Sequence, residues 1–223
     1  MVKKTYLLFI FIVFPFVLHG QREDFRTWYN LQLEGELFNL IDFTITPELR
    51  LWDNSSRLES ILGEVDLSSP LTKFFRLGGL YRYQVDYARK DINMHIHRLS
   101  LYGELDYRIE RLRMAYRGMY QHEYINYNTS ENGKIPETLH RHKVSFKYRR
   151  KGWDIIPVVA GEFFFTIKPE RIDYEQKLRI TAGFQYRLTK DININLHYKY
   201  QIEYFENNPL SAHIISTGIE YEL

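Results

Sequence analysis

Three pairs of residues in this chain carry the groups that hydrolytic chemistry needs: His97 with Ser100, His142 with Ser145, and His213 with Ser216. A serine hydroxyl is a weak nucleophile until a base takes its proton, so imidazole and hydroxyl must share one face. Their three-residue spacing sends them to opposite faces of a strand. Only a pairing across strands would rescue a dyad, and the reading is that no residue is catalytic. Two further pairs, His95 with His97 and His140 with His142, have the two-residue spacing that lets a strand chelate a metal. Their parity also carries Leu99 and Leu101, or Val144 and Phe146, so these histidines read as residues of an apolar–polar interface. Neither a metal nor a cofactor is expected.

The strongest charge feature is a basic ladder. Arg141, Lys143, Lys147 and Arg149 share one parity with no acid between them. Such a row suits a selectivity ladder for an anionic solute, or a site for a phosphate or carboxylate. Glu123 in the preceding segment and Glu162 in the following one are the acids placed to neutralise part of it. Charges of both signs recur at the same parity elsewhere, which points to cross-strand ion pairs filling a narrow interior.

These placements all depend on strands, and period-two alternation is the dominant pattern of the chain. Leu178, Ile180, Ala182, Phe184, Tyr186 and Leu188 alternate with Lys177, Arg179, Thr181, Gln185 and Arg187. The next segment sets Ile192, Ile194, Leu196, Tyr198, Tyr200 and Ile202 against Asn193, Asn195, His197, Lys199, Gln201 and Glu203. Segments of about ten such residues, apolar on one face and charged on the other, mark transmembrane β-barrels. Eleven segments are read: 25–37, 40–52, 57–69, 74–87, 94–109, 112–124, 139–150, 154–166, 175–188, 192–204 and 213–223. Tight connections such as Glu110-Arg111 and Thr189–Asp191 alternate with longer polar ones such as Ile125–Thr138, the pattern of short periplasmic turns and longer outer loops. The expected fold is all-β, a closed antiparallel transmembrane barrel of 10–12 strands. Bacterial single-chain barrels have even strand numbers, so the eleventh segment is a discrepancy. Either the stretch before Phe38 is an inner or partial strand, or two strands are merged near the N-terminus.

A soluble β-barrel alternates too, with apolar residues inside. The long charged side chains on the polar face argue for the membrane, as do tyrosines clustered near segment ends, among them Tyr81, Tyr83 and Tyr87. Lys3, Lys4 and the apolar Thr5–Leu18 read as a signal peptide ending at Gly20, with one barrel domain over residues 21–223. Removing Met1–Gly20 leaves 28 basic and 28 acidic residues, which argues against nucleic acid as a partner. There is no cysteine, so neither disulfides nor thiolate metal sites arise.

The chain ends on Ile215-x-Thr217-x-Ile219-x-Tyr221-x-Leu223, which resembles the C-terminal strand recognised by the outer-membrane barrel assembly machinery. The resemblance makes Tyr221 and Leu223 its contact, although the aromatic stands two residues before the end. The mature chain also resembles an uncharacterised family of Gram-negative outer-membrane β-barrels, a domain of unknown function. The resemblance is carried by Asp24-Phe25-x-x-Trp28, Pro47-Glu48-Leu49-Arg50, Gly79-Leu80-Tyr81-Arg82-Tyr83 and Gly161-Glu162-Phe163-Phe164. It implies fold and location, with outer-membrane lipid as surroundings, and supplies no activity or site. The expectation is a narrow or side-chain-filled barrel with a structural, surface or small-polar-solute passage role. The alternative is an outer-membrane lipid- or lipopolysaccharide-modifying enzyme.

Overall fold

The computed structural model describes residues 22–87, 93–125, 137–167, 176–204 and 209–223. Eleven strands close into one barrel: β1 (Arg22–Leu37), β2 (Ile41–Trp52), β3 (Arg57–Pro70), β4 (Phe75–Asp86), β5 (Met94–Ile109), β6 (Leu112–Ile125), β7 (Glu137–Tyr148), β8 (Ile155–Ile167), β9 (Gln176–Arg187), β10 (Ile192–Tyr204) and β11 (Leu210–Glu222). The alternation of the sequence becomes two faces. Leu99 and Leu101 on β5 point outward and are 55% and 68% exposed, whereas Ser100 between them is buried in the interior. An exterior built of Leu, Ile, Val, Phe and Tyr is what hydrocarbon requires, and closure leaves no unpaired backbone edge in it. The signal-peptide reading and most of the Ile125–Thr138 loop lie outside the described residues.

The strand count corrects the two options left by the even-number rule. The segment before Phe38 is neither partial nor merged: β1 is a full wall strand of 16 residues. With eleven strands joined by hairpins, the first and last run in the same direction, so they must pair parallel. Arg22–Glu34 lies alongside Leu210–Glu222 in that parallel register. The other ten pairs are antiparallel. The barrel is therefore antiparallel except at one seam. Because Arg22 pairs with Leu210, β1 begins at the end of the barrel where the long connections lie.

The two ends differ in backbone chemistry. At the tight-turn end, Phe38 and Asn39 both have φ near +55°, the twist-matched geometry of a two-residue hairpin. At the loop end, the register between β2 and β3 slips between Arg50 and Leu51 and leaves Glu59 without a partner on β2. This bulge re-aims Glu59, whose carboxylate accepts a hydrogen bond from Arg26 at 2.6 Å.

Candidate functional site: a two-tier lumen

The inner face is not uniform along the barrel axis. Around its middle it carries a layer of packed side chains. Trp28 of β1 is buried inside the lumen, and three cations from three other strands lie on its ring: Arg50 at 4.1 Å, Lys199 at 4.5 Å and Arg179 at 5.1 Å from the centroid. The negative face of the indole attracts each of them. Two carboxylates balance the cations. Glu48 accepts from Arg50 Nε at 2.5 Å, and Glu162 accepts from Arg141 at 2.7 Å and Arg179 at 3.4 Å. Arg141 and Arg179 also bracket the Phe164 ring at 4.8 and 4.9 Å. Arg82 pairs with Glu64, and Arg98 with Glu123 and Gln84. Leu62, Ile96, Ala212 and Ile214 add inward, buried apolar bulk. An unpaired charge in such a layer would cost several kcal/mol; the arginines meet carboxylates, and Lys199 rests on the Trp28 ring.

Below this layer stands Tyr102. Its hydroxyl donates to Asp66 at 2.7 Å, and Arg117 covers its ring at 4.2 Å. Gly78, its cross-strand partner on the adjacent β4, makes room for it: a Cβ there would collide with the phenol ring. Beyond Tyr102 toward the turn end, the lumen widens into a vestibule of about 750 Å³ with a strongly polar wall. Asp42 pairs with Arg76, Glu104 with Arg117 and Asp106 with Arg113, and around these pairs the remaining acids and bases gather on different strands. Glu34, Glu36, Glu220 and Glu222 lie on β1 and β11, while Lys143, Lys147, Arg149 and Arg187 lie on and beside β7 and β9. At the rim, burial and the neighbouring Arg187, Arg108 and Arg113 hold Arg149 below the usual guanidinium range.

The basic ladder is divided between the tiers. Arg141 belongs to the filled layer through Glu162, whereas Lys143 is exposed to the vestibule, Lys147 lines it and Arg149 stands at its rim. Glu162 does meet the ladder. Glu123 does not: it is spent on Arg98 of β5. The His–Ser pairs fall on opposite faces, with His213 outward and Ser216 buried inside. His197 and Ser216 are cross-strand neighbours in the interior, and no hydrogen bond joins them.

The paired histidines form an outward-facing belt with tyrosines. Tyr83 bonds His95 at 2.7 Å, Tyr81 bonds His97 at 2.8 Å, Tyr116 bonds His142 at 2.8 Å and Tyr198 bonds His213 at 2.7 Å. Among the described residues no three His, Asp or Glu side chains gather as a metal site.

Sequence reasoning overlooked the residues that close the lumen. Trp28, Phe164 and Tyr102 are aromatic residues at the polar parity, and that mismatch was the available signal. Trp28, Glu48, Arg50, Arg82, Glu162 and Phe164 come from the four short motifs noted above, and the fold gathers them in one layer.

Residues 25–211 match the family model described as "Protein of unknown function (DUF2490)". The chain belongs to this DUF2490 family. A search of the curated proteins finds no match. Among solved structures, the DUF2490 chain is similar to the NanC porin in its rhombohedral crystal form, with a TM-score of 0.53 and 14% identity over 90% of this chain and 99% of that one. At that identity the likeness shows the fold alone: a porin-like barrel.

Proposed function

We propose that this DUF2490 protein is a non-enzymatic outer-membrane barrel that gives small polar solutes a narrow, side-chain-regulated passage. The observation that carries the reading is the change of lumen character at Tyr102: a layer packed around Trp28 above, and an open, polar-walled vestibule below. A purely structural barrel has no use for a 750 Å³ polar chamber on one side of its plug. An open porin has no use for the plug. The apolar exterior, the aromatic belt and the porin-like fold support an outer-membrane location. The readings of Met1–Gly20 as an export signal and of Tyr221 and Leu223 as the contact of the barrel assembly machinery agree with it. On this reading the basic ladder and Glu162 shape the passage, and an anionic or polar solute is the partner.

The enzyme alternative lacks support where it would need it. The outward histidines bond to tyrosines, and each histidine's serine three residues on faces the other way.

Planar-bilayer recording tests the proposal. The native protein is expected to show small, brief conductance steps. Trp28→Ala, which removes the ring that gathers three cations, is expected to raise conductance several-fold. A large, stable conductance from the native protein would show an open pore and overturn the reading.

A further inference from the structure

The charges of the vestibule are arranged at a cost to the fold. Across the β1–β11 seam, Glu34 stands directly beside Glu222. Across β6–β7, Arg113 stands beside Lys147, and Arg117 beside Lys143. Like charges directly opposite one another on neighbouring strands destabilise a sheet. In the filled layer Arg82 and Arg98 are also cross-strand neighbours, but each has an ion-pair partner on its other side, Glu64 for Arg82 and Glu123 for Arg98. In the vestibule Arg113 is bonded to Asp106 and Arg117 to Glu104, whereas the lysines beside them and both seam glutamates have no such partner among the described residues. Among the described residues, none of Glu34, Glu36, Glu220, Glu222, Lys143 and Lys147 has an opposite charge within 4.0 Å. Glu220 is held instead by the amides of Gln185, Asn193 and Asn195, at 2.9–3.3 Å, which orient the carboxylate without neutralising it.

The two sets face each other. In the closed strand order β7 lies five strands from β1 in one direction and six in the other, which is diametrically opposite.

We infer that the vestibule is a binding site for a small zwitterion, a solute with a separated ammonium and carboxylate. The carboxylate would sit on the Lys143–Lys147 wall and the ammonium on the Glu34–Glu222 wall. A simple anion would satisfy one wall and be repelled by the other, and a simple cation likewise. Only a solute carrying both charges relieves both like-charge clusters at once. A short peptide or amino acid suits the chamber volume and has little apolar surface to bury, in keeping with the polar wall. This deepens the passage reading and rests on it only for the chamber being open.

The test uses the full mature chain refolded in detergent, with triglycine as the probe and acetate and methylammonium as its single-charge halves. Binding is read by calorimetric titration, and folding of every variant by its heat-modifiable gel mobility. Triglycine is expected to bind at least about tenfold more tightly than either half. Lys143→Gln with Lys147→Gln, and separately Glu34→Gln with Glu222→Gln, are each expected to weaken triglycine about tenfold or more. Equal affinity for acetate and triglycine, with no effect of the glutamate variants, would make this an anion site and overturn the inference. Absence of triglycine binding to folded native protein would also overturn it. Conductance recorded on the same preparation separates the two proposals. A narrow conducting barrel that does not bind triglycine defeats only the inference, and a wide-open pore defeats the passage reading.

Discussion

Leu196 and Lys199 stand three residues apart on β10 and face different media: Leu196 is on the apolar exterior, and Lys199 is over the Trp28 ring in the lumen. Arginine at position 196 would place a charge in hydrocarbon, with an expected cost of about 2–4 kcal/mol if the site lies at the bilayer midplane. Lys199→Gln gives up one cation–π contact and keeps a polar group in a polar interior, at an expected cost of about 1 kcal/mol. Urea titrations of the two variants folded in lipid vesicles check the difference, and equal losses would reverse the assignment of faces. A second residue-scale prediction concerns Gly78. A leucine there would displace the Tyr102 ring and break its hydrogen bond to Asp66, so a loss of about 1–3 kcal/mol is expected. Gly63→Ala, where a Cβ meets nothing within 4 Å, is the control and should be nearly neutral in the same titration.

Among the elements, β1 decides the architecture. A barrel of ten strands would close β2 on β11, but here β1 completes the wall and converts the closing pair to parallel. The seam has its own packing: Asn30 and Gly218 are register partners, and a side chain at 218 would run into the Asn30 amide. Cysteines placed together at positions 30 and 218 are therefore expected to form an intramolecular disulfide on mild oxidation, read as altered mobility on a denaturing gel. The chain has no native cysteine to compete. An uncrosslinked product in a folded barrel would mean that β1 leaves the wall. The same element supplies Trp28, so the strand that closes the sheet also places the ring on which three lumen cations gather.

For the molecule as a whole, the passage proposal makes the balance between the vestibule walls the determinant of which ions pass. Neutralising Arg141, Lys143, Lys147 and Arg149 together removes three basic groups from one wall and one from the layer above it, while Glu34, Glu36, Glu220 and Glu222 remain on the other wall. Glu162 keeps Arg179 as its partner, so the filled layer should persist. The reversal potential under a salt gradient is expected to shift toward cation preference in this variant. An unchanged reversal potential would show that ions do not cross the vestibule at all.

The barrel class, the strand positions and the faces were written in local order. Alternation such as Leu178 to Leu188 needs only neighbouring residues to declare itself, because a strand's geometry repeats every two residues and hydrocarbon tolerates one of its faces. The inward placement of Arg141, Lys143 and Lys147 was legible for the same reason. What was not legible is everything that depends on which strand stands beside which. Glu123 was as well placed by sequence as Glu162 to meet the ladder, yet register gave it to Arg98. The separation of Glu34 and Glu222 from Lys143 and Lys147 exists only after closure, since these residues are distant in the chain and their positions around the ring follow from the parallel seam. Local pattern determined that there is a barrel. Tertiary closure decided how many strands it has, where Trp28 sits in the lumen, and how its charges face one another.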